Sequence, residues 1–303
     1  MKNKLLDYVC CPINHDDLTI INTKNRNSKM LKSSKGICYP IENGIPNLIP
    51  LINNQSSNKT LNVKNNDKIS IPWTEILEQK GISPAQLSKI DALHILISRN
   101  TEKYFNKYLN GIVLEIGSGK DYQKNNFKDM CDEWVSFDYN IRSNTIDIQG
   151  DGQCLPFKDG VFDCVVSIDV LEHVPYPEKM IKEIQRVLKK DGILILSTPW
   201  FFYLHEEPYN FFHFSKYGLD RLMKDNNLKV ISNKPIAGAV STFGLLLTIL
   251  ITKLFSFSKY ILFIFLFINK NIQRFFFIPL DNLIDKNKRF AQGHIIIAKK
   301  IKL

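Results

Sequence analysis

From about residue 110 the chain alternates short β-prone apolar runs with amphipathic stretches. Gly111–Ile116, Trp134–Asp138, Thr145–Ile148, Asp163–Ile168 and Ile193–Ser197 are the apolar runs, as strands covered on both faces require. Between them, Asp121–Met130 reads as a short helix. Glu178–Leu188 is a longer one, with Met180, Ile181, Ile184, Val187 and Leu188 on one face. Lys190-Asp191-Gly192 reads as the turn that ends it. Ser215–Asp225 predicts a helix with Ser215 as N-cap, Leu228–Ser232 a sixth strand and His294–Ala298 a seventh. Upstream, 82–109 carries Leu87, Ile90, Leu93, Leu96 and Ile97 at helical spacing behind a Ser83-Pro84 start. The expected fold class is α/β: a doubly wound, seven-stranded, mostly parallel sheet. A small β-rich module stands in front of it, and an apolar helical insertion precedes the last strand.

The expected domains are a front module over 1–50, a linker over 51–80 whose first part is rich in Asn, Ser and Lys, and the main domain over 81–303. Residues 235–285 break the rhythm with two apolar runs, Phe243–Ile251 and Tyr260–Ile268, separated by Lys253 and Lys259. Each run is shorter than the roughly 20 residues of a spanning helix. They read as interfacial or re-entrant helices, or as a pair capping the core.

The strand ends carry the candidate chemistry. Val113–Gly119 is a strand that closes in Glu115 and a Gly117-Ser118-Gly119 turn, where the backbone can approach a ligand. Asp138 ends the second strand, about twenty residues after the glycines, where a carboxylate can accept from both hydroxyls of a ribose. Asp151-Gly152 follows the third, where a carboxylate and a backbone N–H can meet an adenine edge. Ser167 ends the fourth, ahead of Leu171-Glu172-His173-Val174. A nicotinamide enzyme is disfavoured, because position 122, where a third glycine would stand, is Tyr.

Together Val113–Gly119, Asp138, Gly150–Phe157 with Asp163, Leu171–Val174 and Glu183-x-x-Arg186-Val187-Leu188 resemble the successive motifs of class I S-adenosylmethionine-dependent methyltransferases, with the nearest look to the ubiquinone/menaquinone-type branch. The resemblance implies S-adenosylmethionine as cofactor. Glu115, Gly117, Ser118 and Gly119 would hold its methionine side, Asp138 the ribose, and Asp151 with Gly152 the adenine, with Ser167 lining the site. It also implies a last strand inserted antiparallel beside the sixth. One departure is Asp121, where many members carry a small residue.

Methyl transfer needs alignment above all, because the sulfonium is already activated. A base is useful when the acceptor is a hydroxyl. Candidates are His173 and, from the aromatic run Trp200, Tyr203, His205, Tyr209 and His213, chiefly Tyr209 and His213.

In the front module, Leu5-Leu6-Asp7, Cys11-Pro12 and Gly36-x-x-Tyr39-Pro40-Ile41-x-x-Gly44-Ile45-Pro46 resemble the zinc-ribbon activator subunits of tRNA methyltransferases. Of the four ligand places only Cys11 remains, the others being Asn14, Lys32 and Lys35. A rearranged set of Cys10, Cys11, His15 and Cys38 matches no closed zinc spacing. No metal is expected in the chain.

The net charge of +10 comes from dispersed Lys and Arg, so nucleic acid is disfavoured as partner. The expected acceptor is a small molecule or a lipid-linked one, with peripheral membrane contact through 238–280. An RNA or protein methyltransferase and an inactive methyltransferase-like scaffold are the rival readings. Met1-Lys2-Asn3-Lys4 leads into a polar-interrupted segment rather than an apolar leader, and four of the six cysteines lie in hydrophobic or loop contexts without paired spacing. The expected compartment is the cytoplasm, at the inner face of the membrane if the insertion touches lipid.

Overall fold

The computed structural model describes residues 3–22, 29–50, 101–141, 145–255 and 257–301. The linker expected over 51–80, and the Ser83–Ile97 part of the first expected helix, lie outside these. Residues 101–108 are helical.

The main sheet has seven strands: β5 (Ile112–Ile116), β6 (Glu133–Asp138), β7 (Ile148–Gln149), β8 (Phe162–Ile168), β9 (Leu188–Pro199), β10 (Leu228–Ile236) and β11 (Gly293–Lys300). Their order is β10-β11-β9-β8-β5-β6-β7. The five strands from β9 to β7 run parallel, while β11 lies antiparallel between β9 and β10. Val113, Leu114, Val165, Val166, Leu194, Ile195 and Ile296 are all fully buried, which is why these strands read as unbroken apolar runs. Helices α1 (Tyr122–Phe127), α2 (Pro177–Val187) and α3 (Lys216–Asp225) are amphipathic or short connectors. Ser215 caps α3, its hydroxyl accepting from the Gly218 N–H at 3.2 Å.

Three expectations need correction. The third strand is Ile148–Gln149 rather than Thr145–Ile148. Lys190–Gly192 is no helix-ending turn: β9 begins at Leu188, directly after α2, and its pairing with β8 jumps from Phe162↔Leu188 to Cys164↔Ile193. The intervening residues bulge out, with Asp191 at φ 67°. The third correction concerns the insertion. Helix α4 (Ala239–Leu254) and helix α5 (Lys259–Ile272) form, but α5 continues through a π-helical turn, Gln273–Phe277, into α6 (Ile278–Ile284). The resulting apolar run, Tyr260–Ile284, is 25 residues long and by length and composition could cross a membrane. The buried Asp281 of α6 ties the hairpin together. Its carboxylate accepts from the Gly238 and Val240 N–H groups at 2.9 and 2.7 Å, capping α4 from another helix.

The front module is a four-stranded antiparallel sheet, β1 (Leu18–Asn22), β2 (Lys29–Ser33), β3 (Cys38–Glu42) and β4 (Ile45–Pro46). It shares a continuous core with the main sheet through Leu5, Val9, Leu31, Tyr39 and Leu48. Its backbone also grips the segment after β7: Leu48 N–H donates to Gln149 O (2.8 Å), Cys10 N–H to Pro156 O (3.0 Å) and Lys158 N–H to Tyr8 O (2.9 Å). Cys10 and Cys11 are buried, and the Cys11 thiol lies 3.1 Å from the Tyr39 hydroxyl.

Candidate active site

In an open α/β sheet the ligand crevice lies beyond the carboxyl ends of the strands, where the connections diverge to either side. Here that point lies between β5 and β8. The turn after β5 is held from below: Gly117 and Ser118 N–H both donate to Phe137 O, at 2.8 and 3.2 Å. The two glycines differ in role. A Cβ on Gly117 would stand 2.2 Å from Val170 Cγ2, so this glycine serves packing against the β8 exit. A Cβ on Gly119 would meet no heavy atom within 4 Å, so open space faces the backbone there, at φ 55°. That is the surface a ligand can approach.

Asp138 ends β6 with both carboxylate oxygens engaged by backbone: Oδ2 accepts from Gly119 N–H and Oδ1 from Asn140 N–H, each at 2.8 Å. A carboxylate in this place can accept from the hydroxyls of a diol. The same bonds orient Asp138 and lock the glycine turn.

Glu115 is 3% exposed and accepts from the Trp134 indole N–H at 2.9 Å. Burial pushes its carboxyl up to about 8 despite that bond, and the neighbouring Asp121 and Asp138 add to the rise. Asp121, buried at the entry of α1 in left-handed backbone, accepts from the Thr145 hydroxyl, and its Oδ1 has no partner. Lys124, the cation nearby, is held by Thr145 O at 2.9 Å and Asp147 Oδ2 at 3.2 Å. With Lys124 paired to Asp147, the carboxylates of Asp121 and Asp138 leave an acidic end that favours a ligand carrying positive charge.

Asp151 follows β7 and accepts at Oδ1 from the Gln153 N–H (2.8 Å), and at both oxygens from the Gln153 amide (3.0 and 3.1 Å). Gln153 therefore stands where an adenine amine would have to share or displace it, a contact that spacing alone could not reveal. Gly152 has Met180 and Ile116 as its nearest side chains. Ser118 and Ser167 are buried with hydroxyls that have no partner, Ser167 at the end of β8.

The candidate bases divide. His173, in the 3-10 turn Leu171–His173, has its Nδ1 2.9 Å from Tyr209 O. A carbonyl only accepts, so Nδ1 carries a hydrogen. His213 lies 3.1 Å from the Asn210 side-chain oxygen, and burial lowers its pKa below the ordinary value. Tyr209 reaches the site through its backbone carbonyl. Two further residues stand beside them: Glu172, seen in the sequence only as part of the Leu171–Val174 motif, and His205, one of the aromatic-run candidates. Fully buried Glu172 follows β8, and its backbone carbonyl accepts from Phe211 N–H at 2.8 Å. His205 packs its ring edge-on against His173, with centroids 4.9 Å apart.

Comparison with known proteins bears on this geometry. Residues 114–196 match the methyltransferase domain family. The matched segment contains Glu115, the glycine turn, Asp138, Asp151, Gly152, Ser167, Glu172 and His173, whereas His205, Tyr209 and His213 lie beyond it. An uncharacterized methyltransferase of Mycobacterium leprae is 31% identical over 101 residues, covering 29% of this chain and 38% of the relative. A norajmaline N-methyltransferase of Rauvolfia serpentina is 43% identical over 67 residues, covering 22% and 20%. The chain thus spans well under half the length of these curated relatives. Among solved structures, the complex of the Haloferax volcanii Trm112 methyltransferase activator with a putative methyltransferase aligns at TM-score 0.44 and 15% identity. It covers 72% of this chain and 97% of that one.

Proposed function

We propose that the protein transfers a methyl group from S-adenosylmethionine to a small or lipid-linked acceptor. The carrying observation is the row of acids at successive strand ends beside the open face of Gly119: Glu115 and Asp121 for the cationic methionine side, Asp138 for the ribose, Asp151 for the adenine. When bound, the cofactor supplies the activated methyl. The chain's part is to hold its two ends so that an acceptor meets the methyl in line. Isothermal titration with S-adenosylmethionine and its demethylated product tests the site, and methyl-label transfer into a cell extract tests the activity. A folded sample that takes up neither compound overturns the reading.

Glu115 gives the site a pH signature. Its folded carboxyl titrates near 8, far above an unfolded glutamate, so free protein holds a proton there at pH 7. The folded state therefore binds that proton more tightly than the unfolded chain. Its stability falls as pH rises from about 4.5 toward 8, then levels off. A cationic ligand pulls the pKa down and expels the proton. Affinity for S-adenosylmethionine is thus expected to rise with pH up to about 8, by at most about tenfold per unit. Titration in two buffers of different ionisation enthalpy checks for the released proton at pH 7, and Glu115→Gln is expected to flatten the pH dependence.

The lipid-linked acceptor rests on the hairpin. Phe243, Leu250, Leu254, Phe257, Tyr260 and Phe276 are each more than 60% exposed. On the inner side Leu262 and Leu266 pack against Tyr203, in the same loop as His205. An apolar surface that touches the candidate acceptor loop suits a substrate presented from a bilayer. The protein is expected to float with phosphatidylcholine/phosphatidylglycerol vesicles, and the combined change Phe243→Ser, Leu250→Ser and Phe276→Ser to reduce the floated fraction at least fivefold. Equal flotation of both proteins removes the membrane part of the reading.

A further inference from the structure

Beyond the glycine turn the most unusual arrangement is at the exit of β8. Glu172 Oε1 is completely buried and has no hydrogen-bond partner. His173 Nε2 faces it at 3.8 Å and His205 Nε2 at 3.9 Å. Both imidazoles are fixed from behind, His173 Nδ1 by Tyr209 O at 2.9 Å and His205 Nδ1 by Tyr203 O at 3.1 Å. Each Nδ1 therefore carries a hydrogen, and each Nε2 faces the same carboxyl oxygen. Three possible ligand atoms thus converge, within 4.8 Å of one another. One cation at their centre can take all three as ligands.

We propose that Glu172, His173 and His205 bind a divalent first-row transition ion. The ligand chemistry is two imidazole nitrogens and one carboxylate oxygen, a set that suits zinc or iron rather than magnesium or calcium. Ligands about 2.1 Å from a tetrahedral ion stand about 3.4 Å apart, so the two Glu172–histidine spacings need to close by only about half an ångström. The backing carbonyls of Tyr203 and Tyr209 are the kind of partner that orients metal-bound histidines. The second Glu172 oxygen accepts from the Thr198 hydroxyl at 3.3 Å, which positions the carboxylate without consuming Oε1. Three protein ligands leave at least one position open, and both histidine side chains are about one-seventh exposed, so a water or an acceptor oxygen can complete the sphere. The ion would pin the loop bearing His205 and Tyr209 to the β8 exit, joining the methyltransferase segment to the part of the chain beyond it.

The test uses the full chain, stripped with a chelator and dialysed. Zinc titration is expected to show one high-affinity equivalent per chain. His205→Gln and Glu172→Gln are each expected to weaken it at least thirtyfold, with circular dichroism and S-adenosylmethionine uptake of the His205 variant unchanged. Cobalt substitution separates this cluster from the cysteines: visible d–d bands without a thiolate charge-transfer band support it, and a thiolate band overturns it. Absence of zinc binding, or equal binding by wild type and both variants, also overturns the proposal. Since the readout is metal binding, its failure is distinguishable from failure of the methyl-transfer reading.

Discussion

Replacement of Asp138 by alanine is expected to remove measurable binding of S-adenosylmethionine while leaving the fold in place. Two effects add. The ribose loses a charged acceptor for two hydroxyls, worth roughly 1.5–3 kcal/mol for each bond to an ionised group. The Gly119 and Asn140 N–H groups also lose their acceptor, so the turn that approaches the ligand is no longer held. Together these amount to at least a hundredfold loss of affinity, with about 1.4 kcal/mol per factor of ten. Asp138→Asn keeps one acceptor oxygen at nearly the same volume and is expected to lose less. Side-by-side titration calorimetry with a thermal melt for each protein decides it. Affinity within threefold of wild type in the alanine variant would remove Asp138 from the site.

The largest stability effect is expected at Arg186. Its guanidinium donates to Glu183 Oε1 (2.9 Å) and Oε2 (2.7 Å), Phe157 O (2.6 Å), Leu155 O (2.9 Å) and Asp159 Oδ1 (2.7 Å). Glu183 in turn accepts from the Leu155 N–H at 2.9 Å. The pair fastens α2 to the segment that follows Asp151. Arg186→Met would leave Glu183 beside two carbonyls without their donor. Breaking one half of a buried ion pair typically costs about 3–5 kcal/mol. Since the Arg186 side chain is 15% exposed, the low end, about 3 kcal/mol, is the better expectation. Urea melts of Arg186→Met and of the double variant Glu183→Gln/Arg186→Met measure it, and the double variant is expected to recover part of the loss because no lone buried charge remains. A single variant within 0.5 kcal/mol of wild type would contradict this account.

The Glu183-x-x-Arg186 spacing was visible in the chain, but its role was not. One helical turn puts both residues on one face, and only the packed loop reveals that together they hold Leu155, Phe157 and Asp159. The strands were legible for a simple reason. The central strands β5, β6, β8 and β9 are buried on both faces over their apolar runs, so composition alone sets them apart from helices and loops. The bulge in β9 was not legible, because Lys190-Asp191-Gly192 carries the same signals as a helix-ending turn. The length of the second hairpin helix was hidden by Asn269, Lys270, Asn271 and Arg274, which break the apolar run while the backbone continues through a π-helical turn.

By itself the sequence determined the β/α alternation, the carboxylates and glycines at strand ends, and the apolar character of 235–285. These are local properties, set by side-chain periodicity and backbone freedom. Which of those groups meet was decided by tertiary structure. The clamp of the front module on Gln149–Lys158, the Asp281 cap of α4 and the convergence of His205 on Glu172 all join residues distant in the chain. Their partners are chosen by packing and by the need to satisfy buried polar atoms, and neither quantity can be read from spacing along one strand or helix.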